Sequence, residues 1–201
     1  MLVIITGTSA SGKTTLMNLL QYVFDNTGFV KAVTTRAPRP DDSSEYEYIS
    51  SEEFQKLITN KELVSWRKAS TNEQQKDDYY GVKFSAVERS FIDNAISIRS
   101  VTPENISDWY RYFGEKTVFI HLLAPTKAEA RRRMHKRGGL SEPAIEKRIQ
   151  FEKNWDQDVR ALKENGILIH LIPAGALKNV FFKVSNIILN SRMKSFLKHN
   201  A

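Results

Sequence analysis

The chain has 201 residues, 41% of them hydrophobic, and carries a formal net charge of +7. This length and apolar content predict one folded domain rather than a disordered chain, and the positive charge favours an acidic partner such as a nucleotide. The absence of cysteine excludes disulfides, thiolate nucleophiles and zinc–thiolate sites. The amino-terminal apolar run is too short for a signal sequence or a membrane span, so we expect a cytoplasmic protein.

The first two elements predict a strand and a helix joined by a phosphate-binding turn. The β-branched run within Leu2 to Thr6 is typical of a buried strand, and leucines at helical spacing predict a helix that begins near Lys13. Between them, Gly7 to Thr14 has the spacing G-x-x-x-x-G-K-[ST] of a Walker A loop. Its glycines and small side chains allow successive N–H groups to point into one concavity, which suits phosphate oxygens.

This loop predicts a site for ATP and Mg²⁺. Lys13 would neutralise the β- and γ-phosphates, and the Thr14 hydroxyl would hold the metal. The other loop residues predicted to bind ATP are Gly7, Ser9, Ala10, Ser11, Gly12 and Thr15. An ordinary glycine turn is the alternative, but the strand–turn–helix context favours phosphate binding.

Later apolar runs alternate with helical patterns, which predicts a parallel sheet flanked by helices. Strands are predicted within residues 95–98, 117–123 and 167–172, and apolar spacing predicts one long amphipathic helix from Ile145 to Val159. The aromatic residues Trp109, Tyr110, Tyr112 and Phe113 predict helix packing.

Residues 36–84 interrupt the alternation, which predicts an inserted subdomain. This stretch contains turn residues, a short strand YEYI and a helix near Ser51 to Thr59. The polar segment Ser70 to Asp78 predicts a loop by its composition.

Five stretches occur in the order that is typical of guanylate kinases. They are the Walker A loop, VTTRAPRP (33–40), SEYEYISSEEF (44–54), LVSWRKAS with YYG (63–70 and 79–81), and EARRRMHKRGGLSEPAIEKR (129–148). The chain resembles that family from about residue 1 to 160. The resemblance implies an α/β P-loop kinase fold in a single domain, 1–201, with an acceptor-binding subdomain at 34–84 and a lid at 134–144.

The resemblance also implies ATP-dependent phosphoryl transfer to a nucleoside monophosphate, which is GMP in the family. The acceptor phosphate would be clamped by Arg36, Arg39, Tyr46 and Tyr80. Guanidinium and phenol groups are suitable donors to phosphate oxygens. Arginines on the lid-like segment would hold the donor and stabilise the migrating phosphoryl group. These are Arg133, Arg137 and Arg148, which with Lys13 form the predicted catalytic set.

The positions that recognise guanine in this family are altered. Where the family has a glutamate and two serines, this chain has Ser65, Ala32 and Val82. A serine hydroxyl cannot accept both N1–H and N2–H of guanine, so GMP is predicted to be a poor acceptor. A pair of family aspartates aligns with Ser97 and Arg99, which places Arg99 in the predicted base pocket and leaves the metal without an assigned carboxylate.

Three functions therefore remain open from the sequence. The first is a nucleoside monophosphate kinase acting on an acceptor with altered base specificity. The second is a noncatalytic guanylate-kinase-like domain that binds phosphorylated ligands, which the missing aspartates favour and the intact loop opposes. The third is a nucleic-acid end kinase, which ranks last because no additional binding module is evident. The expected partners are nucleotides and not membranes, and the oligomeric state is left open.

Overall fold

The protein has an α/β architecture with nine strands and eight α-helices among the residues that the computed structural model describes, 1–38, 45–70 and 77–199. The strands are β1 (Leu2–Gly7), β2 (Thr27–Phe29), β3 (Ala32–Thr34), β4 (Tyr46–Tyr48), β5 (Leu63–Ser70), β6 (Asp77–Lys83), β7 (Ile96–Ser100), β8 (Thr117–Leu122) and β9 (Ile169–Ile172). The helices are α1 (Lys13–Val23), α2 (Ser51–Thr59), α3 (Phe84–Asp93), α4 (Ile106–Phe113), α5 (Lys127–Arg137), α6 (Glu142–Phe151), α7 (Trp155–Glu164) and α8 (Leu177–His199).

The larger sheet has the strand order β2-β7-β1-β8-β9, and all its described pairings are parallel. Strand β1 lies at its centre and is buried along its whole length. One hydrophobic core lies on each face, because the apolar side chains of β1 alternate between the two clusters. This confirms the predicted parallel sheet flanked by helices, and it places the turn after Gly7 at the carboxyl edge of the sheet.

The smaller sheet has the strand order β4-β3-β6-β5 and is mixed. Helix α2 covers it through Phe54, which is fully buried beside Val33 and Leu63. This helix begins with a capping box between Ser50 and Glu53, so its amino terminus is satisfied locally. Strands β4, β5 and β6 fall within the range predicted for the inserted subdomain, 34–84, whereas β3 begins at Ala32, two residues before it. The sheet and α2 enclose a small hydrophobic core of their own.

The long helix predicted from Ile145 to Val159 is wrong. Helix α6 ends at Phe151, and α7 begins at Trp155 after a turn in which the Trp155 N–H donates to the carbonyl of Glu152. The Glu152 carboxylate contacts the Walker A loop instead of lying along a continuous helix. Periodicity alone does not reveal such a tertiary contact.

The polar segment Ser70 to Asp78 is not a loop throughout. Ser70 ends β5 and pairs with Asp77 at the start of β6, so both ends of the segment are strand residues. An ion pair between Lys68 and Asp77, 2.6 Å apart, joins the two strands. Residues 71–76 lie outside the described part of the chain.

Helix α8 closes the structure on the face that carries α1. It packs against the sheet through Val180, Val184 and Ile188, all buried in the same core as Leu16 and Leu20 of α1. No helix in the described ranges is both long enough and apolar enough to cross a membrane.

Candidate functional site

The turn that follows β1 is a tight glycine-dependent loop. Gly7 has a φ of 145°, and a Cβ at this position would lie 2.6 Å from the carbonyl oxygen of Leu122 on the neighbouring strand β8. Gly12, at the amino-terminal boundary of α1, is left-handed with a φ of 98°. Any side chain at Gly7 would therefore displace the loop from the sheet. Thr14 and Thr15 follow in the first turn of α1, where both are exposed.

Lys13 is folded back over this loop. Its Nζ donates to the carbonyl oxygens of Gly7 at 2.7 Å and of Thr8 at 2.9 Å. Burial lowers the pKa of Lys13 to about 8, because removal from water disfavours the charged form.

The charges around Lys13 are mostly positive. The Glu152 carboxylate raises the pKa of Lys13, whereas Arg148, Arg137 and Arg67 lower it, in that order after burial. Two of these arginines belong to the predicted catalytic set: Arg137 ends α5, and Arg148 lies on α6. The structure therefore brings both arginines within electrostatic range of Lys13. A bound phosphate group would compensate this concentration of positive charge.

Two further side chains bind the loop directly. Arg133 of α5 donates from Nη1 to the carbonyl of Ala10 at 3.0 Å, while its Nε donates to Glu129 at 2.6 Å. The buried Glu152 carboxylate accepts from the Ser9 N–H at 2.6 Å and from the Ser9 hydroxyl at 2.7 Å. Helix α5 and the turn after α6 are thus anchored to the loop.

Several hydroxyl groups of this region are buried without a protein partner. Within the described residues, Thr6 Oγ1, Thr8 Oγ1 and Ser11 Oγ make no hydrogen bond. Buried hydroxyls are usually paired, and leaving one unpaired costs about 1–3 kcal/mol. Unpaired hydroxyls in and beside a Walker A loop are suited to a polar ligand.

A second cationic site lies where the smaller sheet approaches β7 of the larger sheet, and we call it the tyrosine–arginine cluster. The Tyr46 ring has the Arg36 guanidinium 5.6 Å and the Arg99 guanidinium 5.5 Å from its centroid. Tyr46 meets Tyr80 edge-on with 6.3 Å between centroids, and the Arg67 guanidinium lies 5.0 Å from the Tyr80 centroid. Three guanidinium groups are therefore held against two phenol rings that meet edge to face.

The cluster contains three residues of the predicted acceptor clamp. Arg36, Tyr46 and Tyr80 come together from β4, β6 and the segment after β3. Arg36 is buried and donates to the carbonyl of Ala37 at 2.8 Å. Arg39, the fourth predicted member, lies outside the described residues.

Three of the four predicted base-pocket residues lie on the smaller sheet, and the fourth, Arg99, belongs to the cluster itself. Ser65 of β5 pairs across the strands with Val82 of β6, and Ala32 is buried on β3. The Ser65 hydroxyl accepts a hydrogen bond from the Trp109 indole N–H at 2.9 Å, and both side chains are buried. Trp109 is thus a core residue, as its helical context predicts, and the Ser65 hydroxyl oxygen is occupied by its indole N–H.

Arg99 is a buried cation with incomplete hydrogen bonding. Its Nη1 donates to the carbonyl of Val30 at 3.1 Å and lies 3.7 Å from the Glu45 carboxylate. Its Nε is buried and unpaired among the described residues. Ser97, two residues earlier, is fully buried and donates its hydroxyl to the carbonyl of Ser90 at 3.0 Å. Neither position supplies a carboxylate.

Comparison with known proteins identifies the family. The family model described as guanylate kinase matches residues 1–164. The chain belongs to the guanylate kinase family. Similar proteins named guanylate kinase include those of Porphyromonas gingivalis, 32% identical over 151 residues (74% of this chain and 78% of that protein), and Desulfitobacterium hafniense, 32% identical over 152 residues (75% and 72%).

The fold agrees with this membership. A crystal structure of guanylate kinase from Anaplasma phagocytophilum has a TM-score of 0.64 with 17% sequence identity, covering 96% of this chain and 86% of that one. As a guanylate kinase family member, the protein is a nucleotide-binding P-loop transferase of the kinase class. The predicted P-loop kinase fold is confirmed.

Two charged residues at this site were missed by the sequence analysis. Arg67 follows Ser65 by two residues on one strand, so strand alternation places both on the same face. Glu152 follows Arg148 by one helical turn, and that spacing indicates a shared direction. These spacings give a direction for each side chain, but not the tertiary contact that brings it to the site. Arg67 lies within the recognised stretch 63–70, where the resemblance assigns it no role, and Glu152 lies outside the recognised stretches.

The lowered pKa of Lys13 predicts a pH-dependent affinity for ATP. Phosphate charge stabilises the ammonium form, so the pKa rises in the complex and binding takes up a proton above pH 8. Affinity should therefore fall about tenfold between pH 7 and pH 9. Calorimetry across this range checks it, and Lys13→Met should bind ATP more weakly with a flatter profile. An affinity for ATP that is constant from pH 7 to pH 9 would contradict the assignment.

The negative charge of Glu152 next to Ser9 should oppose the binding of a triphosphate. In Glu152→Gln the amide oxygen still accepts from the Ser9 N–H, but the carboxylate charge is gone. We expect ATP to bind about three- to tenfold more tightly, measured by calorimetry. Glu146→Gln is the matched control, because Glu146 is exposed on α6 and pairs with Arg131. Weaker ATP binding in Glu152→Gln alone would show that the carboxylate supports the nucleotide site.

Proposed function

We propose that the protein transfers the γ-phosphoryl group of ATP to the phosphate of a nucleoside monophosphate or a similar phosphate-bearing acceptor. The observation that carries this proposal is the pairing of two cationic sites, the Lys13 loop and the tyrosine–arginine cluster. Arg67 links them, since it contacts Tyr80 of the cluster and its charge acts on Lys13. Family membership supports ATP as the phosphoryl donor. The relatives are named guanylate kinase, a name that specifies GMP as their acceptor.

The donor site would bind ATP through the loop. The N–H groups between Gly7 and Thr15 and the ammonium of Lys13 would hold the phosphates. Arg133, Arg137 and Arg148 would neutralise charge on the γ-phosphoryl group as it leaves ADP. Fixed cations stabilise this charge effectively in a closed site, because water does not screen them. Closure of the predicted lid, residues 134–144, would exclude water that hydrolyses ATP.

The donor residues fit Mg²⁺. Thr14 is exposed in the first turn of α1, directly after Lys13, so its hydroxyl can reach the metal that accompanies the phosphates. No group of three or more histidine, aspartate or glutamate side chains suited to a metal occurs in the described ranges. Mg²⁺ in phosphoryl-transfer sites is usually held by few protein groups together with phosphate oxygens and water. When bound, it would screen the charge of the phosphates.

The acceptor site would place a phosphate oxygen in line with the γ-phosphorus. Arg36, Arg39, Tyr46 and Tyr80 would hold the acceptor phosphate by charge-assisted hydrogen bonds. Such positioning converts a bimolecular step into an effectively unimolecular one. No covalent enzyme intermediate is required.

The base pocket is better matched to an acceptor other than GMP. Guanine presents N–H donors at N1 and N2, whereas Arg99 is itself a donor and the Ser65 oxygen is already engaged by Trp109. If the N–H groups of guanine face the N–H groups of Arg99, both lose their hydrogen bonds to water and gain none in return. This costs about 1–3 kcal/mol per unpaired group. The preferred acceptor should therefore present hydrogen-bond acceptors or negative charge toward Arg99.

A noncatalytic domain that binds phosphorylated ligands is the second candidate. The observation that favours it is the replacement of carboxylates by Ser97 and Arg99 on β7. The buried Lys13 and the unpaired loop hydroxyls favour the kinase instead, because a module that binds only a phosphorylated ligand does not need them. A nucleic-acid end kinase would use the basic charge to hold a polyanion, and steeply salt-dependent binding of oligonucleotides would support it.

An acceptor panel tests the proposed function. Nucleoside and deoxynucleoside monophosphates and small sugar phosphates are assayed for ADP release with ATP and Mg²⁺. We expect at least one acceptor to exceed GMP in kcat/KM by about thirtyfold or more, corresponding to a loss for guanine of roughly 2 kcal/mol. GMP as the best acceptor would contradict the specificity argument. ATP binding without transfer to any member of the panel would instead favour the noncatalytic domain.

A further inference from the structure

Arg67 occupies the same face of the smaller sheet as the predicted acceptor site. In the antiparallel pairing of β5 with β6, Arg67 is opposite Tyr80, and Ser65 is opposite Val82. Strand alternation directs the side chains of Trp66 and Lys68 to the other face. Trp66 accordingly lies 6.3 Å from the ring of Tyr79. Arg67 thus lies on the same face of β5 as Ser65, two residues further along the strand.

The Arg67 guanidinium belongs to the tyrosine–arginine cluster, and its charge also reaches the Walker A loop. The guanidinium lies 5.0 Å from the centroid of the Tyr80 ring, and this contact holds it at the cluster. Its charge also acts on the Lys13 ammonium of the Walker A loop. A phosphate group bound to the tyrosine–arginine cluster would therefore lie close to Arg67.

No carboxylate within the described ranges forms an ion pair with Arg67. The next residue of the strand, Lys68, is paired, because it lies 2.6 Å from Asp77. A half-buried guanidinium close to another cation is unfavourable unless an anion compensates it. Because Arg67 contacts Tyr80 of the predicted acceptor clamp and its charge acts on Lys13 of the Walker A loop, the anion that suits it is a phosphate.

We propose that Arg67 is a catalytic residue that contacts the phosphoryl group in transit between ATP and the acceptor. This inference rests on the proposed function. During transfer, the bond between the γ-phosphorus and its bridging oxygen breaks, and that electron pair stays on the β-phosphate of ADP. A lone pair of the acceptor phosphate oxygen forms the new bond. Arg67 donates hydrogen bonds to the equatorial oxygens and is itself chemically unchanged.

The test compares Arg67→Ala and Arg67→Lys with the control Lys68→Ala. Lys68 is adjacent on the same strand, is exposed and faces away, so its removal should leave transfer unchanged. With the best acceptor of the panel, Arg67→Ala should lower kcat about a hundredfold while the melting temperature stays near that of Lys68→Ala. Arg67→Lys should recover part of the loss, because it keeps the charge without the planar fork.

A binding measurement decides the same question without transfer. Calorimetry with ATP and Mg²⁺ should show about tenfold weaker binding for Arg67→Ala than for Lys68→Ala, because one phosphate contact is lost. Equal kcat and equal ATP affinity in the two variants would overturn the assignment. If the unaltered protein binds ATP but transfers to no acceptor, the proposed function fails, and the ATP affinities alone decide whether Arg67 binds phosphate.

Discussion

The concentration of positive charge around one buried ammonium is the constraint on which the site depends. Lys13 is removed from water, lies over the carbonyls of a tight turn, and has three arginines near enough to lower its pKa. Such an arrangement is unfavourable for the protein alone and becomes favourable when phosphate groups enter it. Glu152, bound to Ser9, supplies part of the compensating negative charge. The site is therefore built for a polyanion.

On the proposed acceptor side, three residues of the predicted phosphate clamp lie together, and the predicted base pocket contains Ser65 and Arg99. Where a carboxylate would accept hydrogen bonds from guanine, Ser65 accepts one from Trp109, and Arg99 presents a buried guanidinium with an unpaired Nε. A pocket rich in donors selects a ligand rich in acceptors. In the proposed function, phosphate binding rests on Arg36, Tyr46 and Tyr80, whereas base recognition rests on other residues, Ser65 of β5 and Arg99 of β7.

Sequence reasoning was strongest where local chemistry decides structure. The Walker A spacing predicts the turn at Gly7, because its backbone conformation and its approach to Leu122 require glycine. Helix α2 is predicted to the residue, since its capping box is local. The break at Glu152 and the position of Arg67 depend on contacts between distant segments, which a single sequence does not display. The roles of the predicted site residues remain proposals.

The most direct test of the account compares the binding of adenosine 5′-pentaphosphate with that of ATP. If the Lys13 loop and the tyrosine–arginine cluster face one another, the two additional phosphates reach the cluster and bind as an intramolecular second ligand. We expect the pentaphosphate to bind about a hundredfold more tightly than ATP, and Arg36→Ala to remove most of this gain. Equal affinity for the two compounds, or a gain that Arg36→Ala leaves intact, would contradict the account.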